Sequence, residues 1–155
     1  MIVVTGATGK LGKLIVEELA SRIPPEKIGV SVRDPEKAAD LQQRGIRVRH
    51  GDFAQPSTLS HAFAGASQLL MVSSNARAFG GDSLAQHRDA IAAARDAGVK
   101  RIVYTSQIAS SEYSAFPPAL DHAATEAMLA NSGLAWTTLR NGFYTDSALF
   151  FMGTE

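Results

Sequence analysis

A β-branched run at residues 2–5 passes directly into three glycines spaced G-x-x-G-x-x-G, at Gly6, Gly9 and Gly12, and then into residues with helical periodicity. A short run of Ile, Val and Thr suits a strand buried on both faces. Gly6 permits a tight turn, Gly9 lets a ligand approach the backbone, and Gly12 allows a helix to lie close against the strand. Leu11, Leu14, Ile15 and Leu19 then recur at helical spacing, and Pro24 and Pro25 end that element. The opening predicts a strand–turn–helix unit.

The same alternation runs along the rest of the chain. Strands are expected at 28–32, 46–50, 67–74, 100–106 and 134–140, with helices at 34–44, 57–63, 82–97 and 120–131. Asp34 is placed to cap the second helix with Pro35 in its first turn, while Gly45, Gly98 and Gly133 stand just past helix ends. The strand at 46–50 is the more polar and suits a sheet edge. Residues 110–118, with serines, Tyr113, Phe116 and two prolines, are expected to form a loop over a site. Such a string predicts an α/β, doubly wound parallel sheet of order 3-2-1-4-5-6. Strand order then reverses between the first and fourth strands, where a crevice opens at the carboxyl ends.

At 155 residues the chain is expected to form one domain over 1–155. Lys+Arg and Asp+Glu balance at 15 each, which offers no broad field to nucleic acid or anionic lipid. The absence of cysteine excludes disulfides, thiolate metal sites and a Cys nucleophile. No apolar stretch approaches the ~20 residues of a membrane span, and the first residues carry no secretion signal. A cytoplasmic protein acting on a small molecule is the expected class, with no nucleic-acid, membrane or metal partner and with oligomerisation left open.

Strand, glycines and helix in this order predict dinucleotide binding. The helix N-terminus offers N–H groups and partial positive charge to phosphates. Thr8 adds a hydroxyl, and the backbone N–H groups of Lys10 and Leu11 are candidate donors. At the end of the second strand, "VSVRDP" places Arg33 where a guanidinium suits a 2′-phosphate. Asp34 is the alternative, an acid for a ribose hydroxyl, but its place before Pro35 and Glu36 favours a cap. NADP(H) is therefore expected over NAD(H). Asp52 and Phe53 follow the third strand, either beside the adenine or as an ordinary loop acid and its neighbour. Ser73, Ser74 and Asn75 follow the fourth strand and face the nicotinamide half.

The segments "VTGATGKLG", "SVRDPEKA", "RHGDF", "LLMVSS", "AAARDAGVKRIVYTS" and "HAATEAMLANSGLAWTTLRNGFY" together resemble the NmrA-like atypical short-chain dehydrogenases/reductases, above all their NAD(P)H:quinone oxidoreductase branch. The resemblance implies a Rossmann fold and NADP(H). It also implies cofactor contacts from the glycine loop, Arg33, the Asp52 region and Asn141, Gly142, Phe143 and Tyr144. Members of that family continue well past the sixth strand into a substrate lobe. This chain stops at "SALFFMGTE", leaving Leu149, Phe150, Phe151 and Met152 as an apolar cluster. A partial chain lacking that lobe is expected.

Many short-chain dehydrogenases use Tyr-x-x-x-Lys for proton transfer. Here Tyr104, Tyr113 and Tyr144 are followed four positions later by Ile108, Pro117 and Ala148, so the pair is absent. Alcohol dehydrogenation is disfavoured. Quinone reduction is not, because a quinone accepts hydride readily and its oxygens take protons from water. The expected function is hydride transfer from NADP(H) to quinones or similar electrophilic acceptors. The alternative is a non-catalytic NADP-binding sensor of the NmrA type. No catalytic side chain is assigned. Thr105, Ser106 and His122 are weaker candidates for substrate contact. His122 and Glu126, one helical turn apart, are open to three roles: half a metal site, a pocket pair or a surface pair. Trp136 suits packing better than stacking.

Overall fold

A computed structural model describes residues 1–142 and residue 144. Phe143 and the apolar cluster Leu149, Phe150, Phe151 and Met152 lie outside the described residues. Strands β1 (Ile2–Thr5), β2 (Ile28–Val32), β3 (Arg47–His50), β4 (Gln68–Met71), β5 (Arg101–Gln107) and β6 (Ala135–Asn141) form one parallel sheet of order β3-β2-β1-β4-β5-β6. Helices α1 (Lys10–Ala20) and α2 (Ala39–Gln43) share one core with β1 and β2. On the other face α3 (Leu59–Phe63), α4 (Ser83–Asp96) and α5 (Pro117–Ala130) pack with β4 and β5. The expected doubly wound topology is the one observed.

Alternation along β1 explains the two cores. Val3 points to the layer holding Leu59, Phe63, Leu69, Met71, Ile102 and Leu129, and Val4 to the layer holding Val16, Val30, Leu41 and Ile46. Each fully buried aliphatic side chain contributes about 1.5–3 kcal/mol, which is why so short a strand can anchor both layers. β2 is buried at every position, whereas β3, at the edge, is only half-buried.

Several local details differ from the sequence expectation. In α1 the buried face is set by Gly12 and Val16, so Leu14 points outward and is 69% exposed. The helix is rotated toward its glycine, because only a residue without a side chain fits so near the turn. Asp34 caps as expected, accepting from the Glu36 N–H at 3.2 Å, but a 3₁₀ turn over Pro35–Ala38 precedes α2. α5 begins three residues earlier than expected, since Pro117 and Pro118 occupy the first turn, where their missing N–H groups cost nothing. Among the described residues no helix is long and apolar enough to cross a membrane.

Candidate functional site

The turn after β1 is built as its glycines require. Gly6 has φ +64°, a backbone region that side chains disfavour, and its N–H donates to the Ser31 carbonyl at 3.3 Å. Gly9 is the N-cap of α1, extended at φ −83°, with its N–H on the Gly6 carbonyl at 3.0 Å. A Cβ on Gly12 would stand 2.1 Å from the Gly6 oxygen, so helix and turn touch backbone to backbone. The first helical bond closes from the Lys13 N–H to the Gly9 carbonyl, which leaves the first-turn N–H groups without an acceptor inside the helix. The first turn carries no acidic residue to neutralise its positive end. The result is an electropositive cradle, with Thr8, Lys10 and Leu11 on it.

The register Thr5↔Ser31 brings the ends of β1 and β2 side by side, so Arg33 stands next to this cradle. Its side chain is exposed. Asp34 is engaged elsewhere, in its cap and in an ion pair with Lys37 at 3.4 Å. Beyond β3, Asp52 sits in a compact turn. Its Oδ1 accepts from the Ala54 N–H at 2.9 Å, and its own N–H donates to Thr58 Oγ1 at 2.9 Å. Phe53 leans on the core rather than standing free.

Side chains from three elements fix the chain leaving β4 residue by residue. The Val72 N–H donates to Thr5 Oγ1 of β1, the Ser73 N–H to Thr105 Oγ1 of β5, and the Ser74 N–H to His87 Nε2 of α4, at 2.9, 2.9 and 2.8 Å. The crevice where strand order reverses is therefore rigid. Ser74 Oγ turns back to Gln86 Oε1 and also accepts from the Ala76 N–H, just past Asn75. Farther along the loop, Arg77 makes a two-pronged ion pair with Asp121 of α5.

His87 is the buried member of this set, 1% exposed. Thr125 gives its hydroxyl proton to the Asp121 carbonyl at 2.8 Å, so its oxygen must accept from His87 Nδ1 at 2.9 Å. His87 Nε2 accepts from Ser74. Both ring nitrogens are thus assigned, and the ring is neutral with its proton on Nδ1. Burial pushes its pKa down to about 4, His122 adding to the effect and Asp121 opposing it.

Beside it, Ser73, Thr105, Ser106, His122, Asn141, Gly142 and Tyr144 line a cavity of about 190 Å³ at the carboxyl ends of β4, β5 and β6. Tyr104 is fully buried behind this cavity, with its hydroxyl 2.8 Å from His122 Nδ1. Thr105 donates toward Ser73 Oγ at 3.4 Å, and Ser106 donates to Glu126 Oε1 at 2.6 Å. Glu126 also takes both prongs of Arg140. Burial would raise its carboxyl, but the bonds from Arg140 and Ser106 outweigh it and hold the group below the usual range. Asn141 Nδ2 donates to the Tyr144 hydroxyl at 2.8 Å.

His122 and Glu126 consequently have separate partners, Tyr104 for one and Ser106 with Arg140 for the other, with Glu126 buried and His122 half-buried. The surface-pair reading is overturned because α5 turns both toward β5. The loop expected over a site contributes Phe116 to the cavity rim, and Pro118 joins it from the first turn of α5. Sequence reasoning missed His87, Thr125 and Tyr104 as parts of this site. A lone histidine inside a helix carries no local signal of its partners.

The family described as NAD(P)H-binding matches residues 6–149. Quinone oxidoreductase 2 of Escherichia coli (strain K12) is 42% identical over 149 residues, covering 96% of this chain and 51% of its own length. An NmrA-like family domain-containing oxidoreductase of Aspergillus flavus is 37% identical over 155 residues, covering 96% and 50%. Among solved structures, Citrobacter sp. triphenylmethane reductase complexed with NADP(H) superposes with a TM-score of 0.88 at 43% identity, covering 96% and 52%. The chain thus spans about half the length of the curated relatives it matches. The match starts at the first glycine of the turn and runs past the end of β6, and by that extent the chain belongs to the NAD(P)H-binding, NmrA-like family.

Proposed function

We propose that the chain binds NADP(H) across the carboxyl ends of β1, β2 and β4 and takes part in hydride transfer to quinones or similar electrophilic acceptors. The observation that carries this reading is the glycine-built N-terminus of α1, without an acidic residue in its first turn, at the reversal of strand order, with an exposed arginine on one side and a polar cavity on the other. The cradle fits a pyrophosphate: Gly9 has no side chain at the start of α1, and a Cβ there would stand 3.3 Å from the Gly6 oxygen, so the backbone is left open to close approach. Thr8, Lys10 and Leu11 border that space, Arg33 meets a 2′-phosphate, and Asp52 with Phe53 borders the adenine. Ser73, Ser74 and Asn75, with Asn141, Gly142 and Tyr144, surround the nicotinamide half. When bound, the reduced cofactor supplies a hydride.

The chain's own residues position rather than protonate. Tyr104 ends in the core instead of the cavity, and no lysine follows any tyrosine by four positions. An acceptor that draws its protons from water suits such a site. The test is to titrate NADPH by fluorescence and then measure its oxidation by a simple benzoquinone. Saturable binding with turnover is expected. Absent binding would sink the cofactor assignment, and tight binding without turnover of any quinone tried would favour the sensor.

A further inference from the structure

We propose that Tyr104 is a positioning residue: its hydroxyl donates to His122 Nδ1, holds the ring as the Nε2–H tautomer, and so turns His122 into a hydrogen-bond donor for a carbonyl oxygen of the ligand in the β4–β5–β6 cavity. The ligand half of this inference rests on the NADP(H) reading; the tautomer half does not.

The geometry fixes each proton in turn. Tyr104 is 0% exposed, and its oxygen lies 2.8 Å from His122 Nδ1. Burial pushes the phenol well above its ordinary pKa, with a nearby Thr125 hydroxyl working weakly against it, so the phenol keeps its proton and must place it. Thr125 is the competing acceptor. Its hydroxyl already gives its proton to the Asp121 carbonyl and receives the His87 Nδ1–H. His122 Nδ1, by contrast, has the Tyr104 hydroxyl directly opposite. If His122 carried its proton on Nδ1 instead, the phenol oxygen would accept there and its own buried proton would be left to Thr125 Oγ1, which already takes the His87 proton, rather than to the ring nitrogen 2.8 Å away. His87 packs edge-on against the Tyr104 ring, centroids 5.4 Å apart at 71°, and its own two bonds lock it in place. The tyrosine is thereby clamped between two histidines. Burial also lowers the His122 pKa, against the opposing pull of Asp121 and Glu126, so the ring is neutral when it meets a ligand. Its remaining nitrogen, Nε2, is the one left to the cavity that His122 lines.

Long-range proton–nitrogen spectra of protein labelled at its four histidines read the tautomers directly. His87 serves as an internal reference with its proton on Nδ1. The wild type should show His122 with its proton on Nε2, and Tyr104→Phe should move His122 alone to a mixed pattern. A proton on His122 Nδ1 in the wild type, or an unchanged His122 in Tyr104→Phe, would overturn the inference. For the ligand, His122→Ala removes the donor and His122→Gln restores one at similar reach. Loss of about tenfold in NADPH affinity would assign the carbonyl to the nicotinamide carboxamide. The same loss in KM for benzoquinone, with NADPH affinity intact, would assign it to the acceptor. In either case Gln should recover most of the loss. Neither quantity moving would overturn the donor role. A wild type that fails to bind NADPH would sink the proposed function together with the ligand half, while the tautomer stands or falls on the spectrum alone.

Discussion

Acidification from neutral pH should destabilise this protein through His87. In the folded chain His87 accepts a backbone N–H on Nε2 and keeps its proton on Nδ1, so a second proton would set donor against donor beside Ser74. Burial accordingly lowers its pKa from 6.5 to about 4. Between those values the unfolded chain binds a proton that the folded chain refuses, and stability must fall as pH falls. The contribution is fully present above the unfolded value. It declines by about 2 kcal/mol between about pH 7 and pH 5, and by about 3 kcal/mol near pH 4. His122, also lowered by burial, acts in the same direction. Glu126, held below the carboxylate range, adds its loss only at lower pH. Urea unfolding reads the effect as a midpoint lower by about 1 M at pH 5 than at pH 7. His87→Gln supplies the control, since its amide oxygen can accept from Ser74 and does not titrate. That variant should be less stable at pH 7 but lose far less on acidification. Equal losses in wild type and variant, or a His87 resonance titrating near 6.5, would refute the neutral, doubly bonded ring.

Four other outcomes are expected. NADPH should bind about tenfold or more tighter than NADH, and Arg33→Ala should erase most of the difference in paired fluorescence titrations, because a charged phosphate contact is worth roughly 1.5–3 kcal/mol. Gly9→Val should fold, at a capping cost of about 1 kcal/mol, yet lose NADPH in calorimetry. Gly12→Ala should lose about 1–3 kcal/mol or more in urea melts, since its Cβ would meet the Gly6 oxygen at 2.1 Å. Tyr113→Phe and Tyr144→Phe should each change quinone turnover less than tenfold, whereas loss of a true general acid costs about 10²–10⁴-fold.

The sequence by itself determined the architecture and the cradle. Both are written in short-range terms: apolar runs of strand length, caps such as Asp34, and glycines placed where a strand must turn tightly and a helix must touch it. Arg33 was legible for the same reason, being two residues beyond the Thr5↔Ser31 pairing that the first two strands imply. Even within that local reach, rotation about a helix axis escaped the pattern. Leu14 has the right spacing for a buried face, but contact between Gly12 and the turn sets the angle and leaves Leu14 in solvent.

Only the tertiary structure decided how the nicotinamide end is held. Thr5, Thr105 and His87 are 67, 32 and 13 residues from the N–H groups they receive, and each bond depends on strand register and helix position together. Tyr104 meets His122 for the same reason, because α5 packs over β5 with that face inward. No periodicity carries this information. Periodicity records which side of an element is apolar, whereas a hydrogen bond is fixed by where two elements stop relative to each other, to within a fraction of an ångström.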